Sequence, residues 1–343
     1  VAQVQKSQSR IVMPKISFIL CTVRGDFAFA QAPERKLFDH VKAELEKQTF
    51  KDFELIVVDG LREFREFPEC SFPVKHVAPL DNIWTRNKKV AISTYRNTGI
   101  VHSDAELIVN LDDTFVLPER WAELYHSLWY EYNKCGAATW RHNGDTRLHM
   151  TESLKDAQYS QVFGFGSYPL EMALELNGYD LSFDGSMYLE DVEWGCRLFN
   201  AGLKQTLFWL DGFNLEAQTG HDPRAVDADS SIVKCCNPAW QMARVHRNTV
   251  KANVVELWDK GSINYLLAPC QLLTHDGKCL HHDGHNDCAY LTTNLWGDGD
   301  RGHVLHSFVN KRHPLTENLR AEDFALDLRA LHNKRREGEL END

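Results

Sequence analysis

Apolar and polar positions follow two different rhythms over the first third of the chain. Lys15 to Cys21 is a short, dense apolar run bounded by Pro14 and Gly25, which predicts a buried strand. Glu34 to Gln48 switches to helical spacing, with Leu37, Phe38, Val41 and Leu45 on one side. Phe53 to Val58 is a second apolar run, ending at Asp59-Gly60, and Pro73 to Val77 is a shorter third. Arg86 to Val101 has no proline and a single late glycine, so one continuous helix is expected there. Glu106 to Leu111 then predicts a fourth strand. Strand, helix, strand, strand, helix, strand is the order of an α/β fold with a doubly wound, mostly parallel sheet.

Beyond Gly136 the pattern loosens. Val162 to Gly166 reads as a flexible strand or loop, and Pro169 to Leu176 as a helix stopped by Asn177-Gly178. Asp191 to Ala201 predicts another helix, stopped by Gly202, with Val192, Gly195, Cys196 and Phe199 on its packed face. Glu193 and Arg197 are expected as an exposed pair one turn apart. Trp209 to Gly212 is expected at a strand end. After residue 225 the chain becomes richer in His, Cys, Asn and Asp, until Ala321 to Arg336 restores an amphipathic helical pattern before a charged end.

Composition removes several function classes. The longest early apolar run, Ile16 to Val23, is too short to cross a bilayer, and nothing before it has the basic-apolar-small order of a signal peptide. A cytoplasmic protein with no transmembrane segment is therefore expected. A net charge of −11 argues against broad, nonspecific binding to phosphate backbones, which depends on Lys and Arg. Nine cysteines, an odd number without a secretory signature, make a disulfide framework unexpected.

Three polar groups stand at the carboxyl ends of the expected strands, where ligands bind in such sheets: Thr22-Val23-Arg24, Asp59, and Asp112-Asp113. Paired carboxylates about 4 Å apart repel by roughly 1 kcal/mol in water and by several times that near a protein surface. A proton or a cation relieves the repulsion, and Mg²⁺ or Mn²⁺ takes such oxygen ligands and bridges to substrate phosphates. An isolated Asp-Asp pair is more often a turn or a cap, so the neighbours decide.

Those neighbours are the segments ISFILCT, FELIVVDG, YRNTGI and LIVNLDD, in that order. Together they resemble the nucleotide-binding half of the GT-A glycosyltransferases, in particular the family 2 group. The resemblance covers residues 14–225, with a nucleotide-sugar half over 14–120 and an acceptor half over 121–225. It implies a GT-A, Rossmann-like fold, and the Cys/His-rich stretch over 226–343, which the resemblance does not reach, is read from its composition as a C-terminal extension. It also implies that Thr22 and Asp59 line the nucleobase and ribose pocket, with Arg24, Arg96 and Asn97 near the nucleotide. Asp112 would contact ribose or metal, and Asp113 would ligate the Mn²⁺ or Mg²⁺ that holds the diphosphate. Asp59 is followed by Gly60-Leu61-Arg62 where the family often has a second acid, so the base and the sugar stay open. A UDP-sugar is expected ahead of a GDP-sugar.

Gly178-Tyr179-Asp180 followed by Glu190-Asp191 at a helix start matches a second pattern of that group. By resemblance Asp191 is the general base that deprotonates an acceptor hydroxyl, with Glu190 binding acceptor or sugar. Taken alone, Glu-Asp at a helix start is more often a cap and dipole match. His221, in Gly220-His221-Asp222-Pro223, is in the right order to complete the metal site, with His246 a weaker substitute. Farther along, Cys270, Cys279, Cys288 and either Cys236 or His285 could supply four ligands to a structural Zn²⁺. Their spacing matches no standard finger, and buried thiols with exposed imidazoles are the competing reading.

The expected activity is thus an inverting, metal-dependent glycosyl transfer to a glycan, a lipid-linked sugar or another hydroxyl compound. A hydroxylated nucleic-acid base is a minority acceptor, supported only by the basic stretches Arg244 to Lys251 and Arg329 to Arg336. A catalytically inactive binding or scaffold module on the same fold is the alternative from a different class.

Overall fold

The computed structural model describes residues 13–27, 29, 34–138, 149–150, 160–161, 165–181, 184, 190–208, 214–215, 222–226 and 326–340. The first half runs β1 (Ile16–Thr22), α1 (Leu37–Glu46), β2 (Phe53–Asp59), β3 (Val74–Val77), α2 (Ile83–Arg86), α3 (Ile92–His102) and β4 (Leu107–Leu111). Then follow β5 (Phe115–Val116), α4 (Trp121–Tyr130), β6 (Cys135–Ala138), β7 (His149–Met150), β8 (Ser167–Pro169) and α5 (Leu170–Glu175). The remaining elements are α6 (Glu190–Asn200), β9 (Gln205–Phe208), β10 (Asn214–Leu215) and α7 (Leu328–Arg336).

The central sheet has the order β3-β2-β1-β4-β8, parallel except for β8 at the edge. The mostly parallel α/β architecture expected from the apolar runs is therefore observed. All seven residues of β2 are buried, as are the five of β4, as befits strands covered on both faces. Successive strand side chains point to opposite faces, and β1 shows it directly. Phe18 stacks on Trp121 of α4, with ring centroids 4.8 Å apart. Ile19 faces α3, so closely that a Cβ on Gly99 would lie 2.3 Å from the Ile19 Cγ2. Gly99 is thus what lets the α3 backbone lie against the strand. Among the described residues two smaller sheets are present: β6-β9-β7, with β6 and β9 parallel, and β10 antiparallel to β5.

Three expectations are corrected. Arg86 to Val101 is not one helix. α2 ends at Arg86, Lys88 takes a left-handed backbone (φ 51), and α3 begins only at Ile92. The start of α2 is set by Asn82, whose side chain caps the Trp84 and Thr85 amides, while Thr85 returns a bond to the Asn82 backbone. Glu193 and Arg197 are not an exposed pair: they are 0% and 4% exposed. Arg197 reaches back to the Leu176 and Gly178 carbonyls (2.9 and 2.6 Å), closing the orphaned end of α5. The packed face of α6 keeps Cys196 from the expected set and adds Trp194 and Leu198, while Phe199 is only partly buried.

α7 packs on α3 and α5, with His332 Nδ1 3.0 Å from the Val101 carbonyl and Arg335 on Asp104 at 2.5 Å. Asn177 clamps its start, accepting from the Leu328 amide (3.0 Å) and donating to the Leu326 carbonyl (2.5 Å). No helix among the described residues is long and apolar enough to cross a membrane.

Candidate active site

The chain leaves β1 for β2 and β3 on one side, then returns to β4 on the other, so the strand order reverses between β1 and β4. A crevice opens at the carboxyl ends of strands at such a reversal. Here its walls are Thr22, Val23 and Arg24 after β1, Asn110 to Asp113 after β4, and Ile92 and Arg96 from α3. Cys21 lines it too, its thiol pushed up to about 12 by burial and so held uncharged.

Register explains why these residues meet. Leu20 lies opposite Leu111, which carries Asp113, two residues on, to the level of Thr22. The Thr22 hydroxyl donates to Asp113 Oδ2 at 2.6 Å, and Arg24 Nε donates to Asp113 Oδ1 at 3.0 Å. Asp112 turns the other way, its Oδ1 accepting from the Thr114 amide and hydroxyl, both at 3.2 Å. Burial and the neighbouring Asp113 charge push the Asp112 carboxyl up to about 7. Phe115 and Leu117 resume the core directly afterwards, at 3% and 2% exposure. The paired acids therefore interrupt the apolar pattern at the rim of the crevice.

Arg96 connects this crevice to the second acidic pair. Its guanidinium lies 5.0 Å from the Tyr179 ring centroid and donates to Glu190 Oε1 at 3.2 Å. Glu190 opens α6 and is buried. Burial and the adjacent Asp191 push its carboxyl up to about 7, with Arg96 acting in the opposite direction. Asp191 is half-buried beside it, near enough for its charge to act on Glu190, Arg96 and Tyr179. Residues nearly a hundred positions apart thus converge on one guanidinium.

Four predicted residues stand outside the lining: Glu190 and Asp191, which Arg96 connects to it, and Asp59 and Asn97, which face elsewhere. Asp59 is fully buried and held by Arg65 through two bonds (2.7 and 2.8 Å), by His76 Nε2 at 3.0 Å and by the Leu61 amide at 2.9 Å. Burial would raise its pKa, but Arg65 and His76 outweigh that and keep the carboxyl below its ordinary value. Asn97 is also fully buried. Its amide donates to the Tyr179 carbonyl (2.8 Å) and accepts from the Tyr179 amide (2.7 Å), so it pins the Gly178-Tyr179 turn. Only glycine fits at 178: φ is +64, and a Cβ would meet Leu328 Cδ1 at 2.2 Å and Asn97 Oδ1 at 2.3 Å.

The structure adds residues that the sequence reading overlooked. Asp184 caps the amino end of α3, accepting from the Ser93 and Thr94 amides (2.8 and 3.1 Å) and the Thr94 hydroxyl (2.5 Å). Asn110 bridges two buried tyrosines, donating to the Tyr179 hydroxyl (2.9 Å) and accepting from the Tyr168 hydroxyl (3.2 Å). A polar residue inside the apolar run of β4 was the available signal for Asn110. Asp184 gave none, because its partners lie some 90 residues away.

His221 and its substitute His246 lie outside the described residues, as do the zinc candidates Cys236, Cys270, Cys279, Cys288 and His285. Asp222 is described, and its amide donates to the Val23 carbonyl at 2.9 Å, bringing that segment to the crevice. Among the described residues no group of three or more His, Cys, Asp or Glu side chains is arranged to hold a metal ion. What the crevice offers is two adjacent carboxylates. That suits a cation such as Mg²⁺, which is commonly held by one or two carboxylates and completes its shell with substrate phosphates and water.

No protein-family model matches the chain. No curated protein matches it either. Among solved structures the fold is similar to crystal structures of S. aureus TarS, at 12% sequence identity in each case. One covers 75% of this chain with a TM-score of 0.40, and the chain spans 49% of that TarS chain. TarS 1-349 covers 94% of this chain and is itself covered to 92%, with a TM-score of 0.43. The same segment in complex with UDP gives the same coverage with a TM-score of 0.38. Likeness at this level bears on neither substrate nor mechanism.

Proposed function

We propose that the protein is a glycosyltransferase of GT-A type that moves a sugar from a nucleoside-diphosphate donor to an acceptor hydroxyl. The observation that carries this reading is that Arg96 lines the same crevice as Thr22, Arg24, Asp112 and Asp113 and also bonds Glu190, which has Asp191 beside it. A crevice with paired carboxylates at a strand-order reversal is thereby linked to a second acidic pair that can serve as base.

In this mechanism Asp112 and Asp113 would hold Mn²⁺ or Mg²⁺, which when bound would neutralise charge on a leaving diphosphate. Thr22 and Arg24 orient the donor at the crevice mouth. Arg96, backed by Tyr179, fixes Glu190 and leaves Asp191 beside it as the base. Alcohols are weak nucleophiles at neutral pH, and a positioned carboxylate contributes about 10²–10⁴ in rate by taking the proton during attack. One such displacement inverts the anomeric centre. UDP is the nucleotide to test first.

The test is thermal unfolding with UDP, GDP, CMP or dTDP, each with Mn²⁺ or with EDTA. A ligand at about 100 times its Kd adds roughly 2.7 kcal/mol and moves the midpoint by a few degrees. A Mn²⁺-dependent shift with one diphosphate is expected, together with a fall of about 10²–10⁴ in turnover for Asp191→Asn with nucleotide binding kept. No shift with any nucleotide overturns the reading. A shift with unchanged sugar chemistry in Asp191→Asn removes Asp191 from the mechanism.

A further inference from the structure

Arg24 occupies the position that a cation would need. Both oxygens of Asp113 are already engaged: Oδ2 by the Thr22 hydroxyl at 2.6 Å and Oδ1 by Arg24 Nε at 3.0 Å. The arrangement is built rather than incidental. Asp113 is 4% exposed, and the Arg24 amide donates to the same Thr22 hydroxyl at 3.3 Å, which orients that hydroxyl toward the carboxylate. A buried carboxylate with its own guanidinium is electrically satisfied, so a divalent ion must displace the arginine from Oδ1 or share that oxygen with it.

We infer that Arg24 is an exchangeable counter-ion, paired with Asp113 as the structure shows and transferred to the donor diphosphate when a divalent cation takes the carboxylate. The inference rests on the glycosyltransferase reading above. Two observations give it direction. Arg24 lines the crevice, where its fork of N–H donors suits a diphosphate as well as it suits a carboxylate. Asp112 meanwhile bonds Thr114 and leaves Asp113 as the acid under competition. The exchange couples the two ligands: a cation arriving alone competes with Arg24 for Asp113, whereas a cation arriving with nucleotide gives the displaced guanidinium a diphosphate to bind. Cation and nucleotide therefore strengthen each other's binding by the same factor.

The experiment measures Mn²⁺ binding by electron paramagnetic resonance of the free ion, and UDP binding by calorimetry, on the full chain. Arg24→Met is expected to bind Mn²⁺ alone about tenfold more tightly than the unsubstituted protein, and UDP in saturating Mn²⁺ about tenfold more weakly, the scale of one charge-assisted bond. Arg24→Lys, which keeps a cation but not the fork, is expected to fall between, and Asp113→Asn to lose Mn²⁺ binding. Thermal unfolding of each variant confirms that it is folded. If Arg24→Met leaves Mn²⁺ affinity unchanged or weaker while the unsubstituted protein binds UDP, the counter-ion role is wrong and the transferase reading stands. If the unsubstituted protein binds UDP neither with nor without Mn²⁺, both fall together.

Discussion

Glu190 is held between opposing influences: burial and Asp191 raise its pKa to about 7, from an ordinary 4.5, while Arg96 lowers it. Because the folded state keeps the proton to higher pH than the unfolded chain, this group's contribution to stability is full below 4.5 and is lost as pH rises through about 7. Glu190→Gln is expected to flatten that part of the stability–pH curve, measured by urea unfolding at successive pH values. Arg96→Met removes the lowering influence and is expected to move the ionisation of Glu190 to higher pH, so that part of the stability–pH curve shifts the same way. An unmoved curve would show that Arg96 does not act on Glu190. The acids themselves were legible in the sequence, because charge at a strand end or a helix start breaks a pattern that packing would otherwise continue. Their partners were not. Nothing local in the sequence ties Arg96 to Glu190, or shows that Asp59 faces Arg65 and His76 in place of the crevice.

At the scale of elements, α3 is the part on which the crevice depends, since it carries Arg96 and is fixed at three points along its length. Asp184 caps its start, Gly99 sets its distance from β1, and Asn97 grips the Tyr179 backbone from its middle. Asn97→Asp replaces a donor with an acceptor against the Tyr179 carbonyl. It is expected to cost about 1–3 kcal/mol of stability, the penalty of an unsatisfied buried group, measured by urea unfolding. Asp184→Asn is expected to cost a similar amount, because its amide would confront backbone N–H groups at a helix start. A cost under about 0.5 kcal/mol for either would show that the turn re-forms without it. The four parallel strands of the central sheet could be read from their apolar runs within a residue or two, whereas the antiparallel edge strand β8, three residues long, could not. The break between α2 and α3 could not. It turns on a left-handed Lys88, a residue type with no special preference for that conformation, and on a cap that arrives from Asp184.

On the scale of the whole molecule, α7 binds the end of the chain to its first half, and the junction is a cluster of charges closed over two histidines. Arg335 and Lys75 both pair with Asp104 at 2.5 Å in the junction, while Arg329 pairs with Glu171 at 2.6 Å on the exposed surface. Burial, with Arg335 and Lys75 nearby, lowers the pKa of His102 to about 4 from an ordinary 6.5, and burial lowers that of His332 too. An unfolded chain would protonate His102 near 6.5, so the folded state loses this stability as pH falls from about 6.5 to about 4. Amide hydrogen exchange should report it: the α7 amides are expected to lose protection in that window ahead of β1, β2 and β4. His102→Gln, neutral at every pH, is expected to keep α7 protected to lower pH. Leu328→Ala tests the packing separately, because Leu328 is fully buried against the Gly178 turn, and about 2–5 kcal/mol should be lost at any pH. If α7 opens at neutral pH in Leu328→Ala while nucleotide binding is unchanged, the strap serves stability alone. If Arg96 and the crevice fail with it, the grip of Asn97 on the Gly178 turn is the route by which the last helix reaches the first strand.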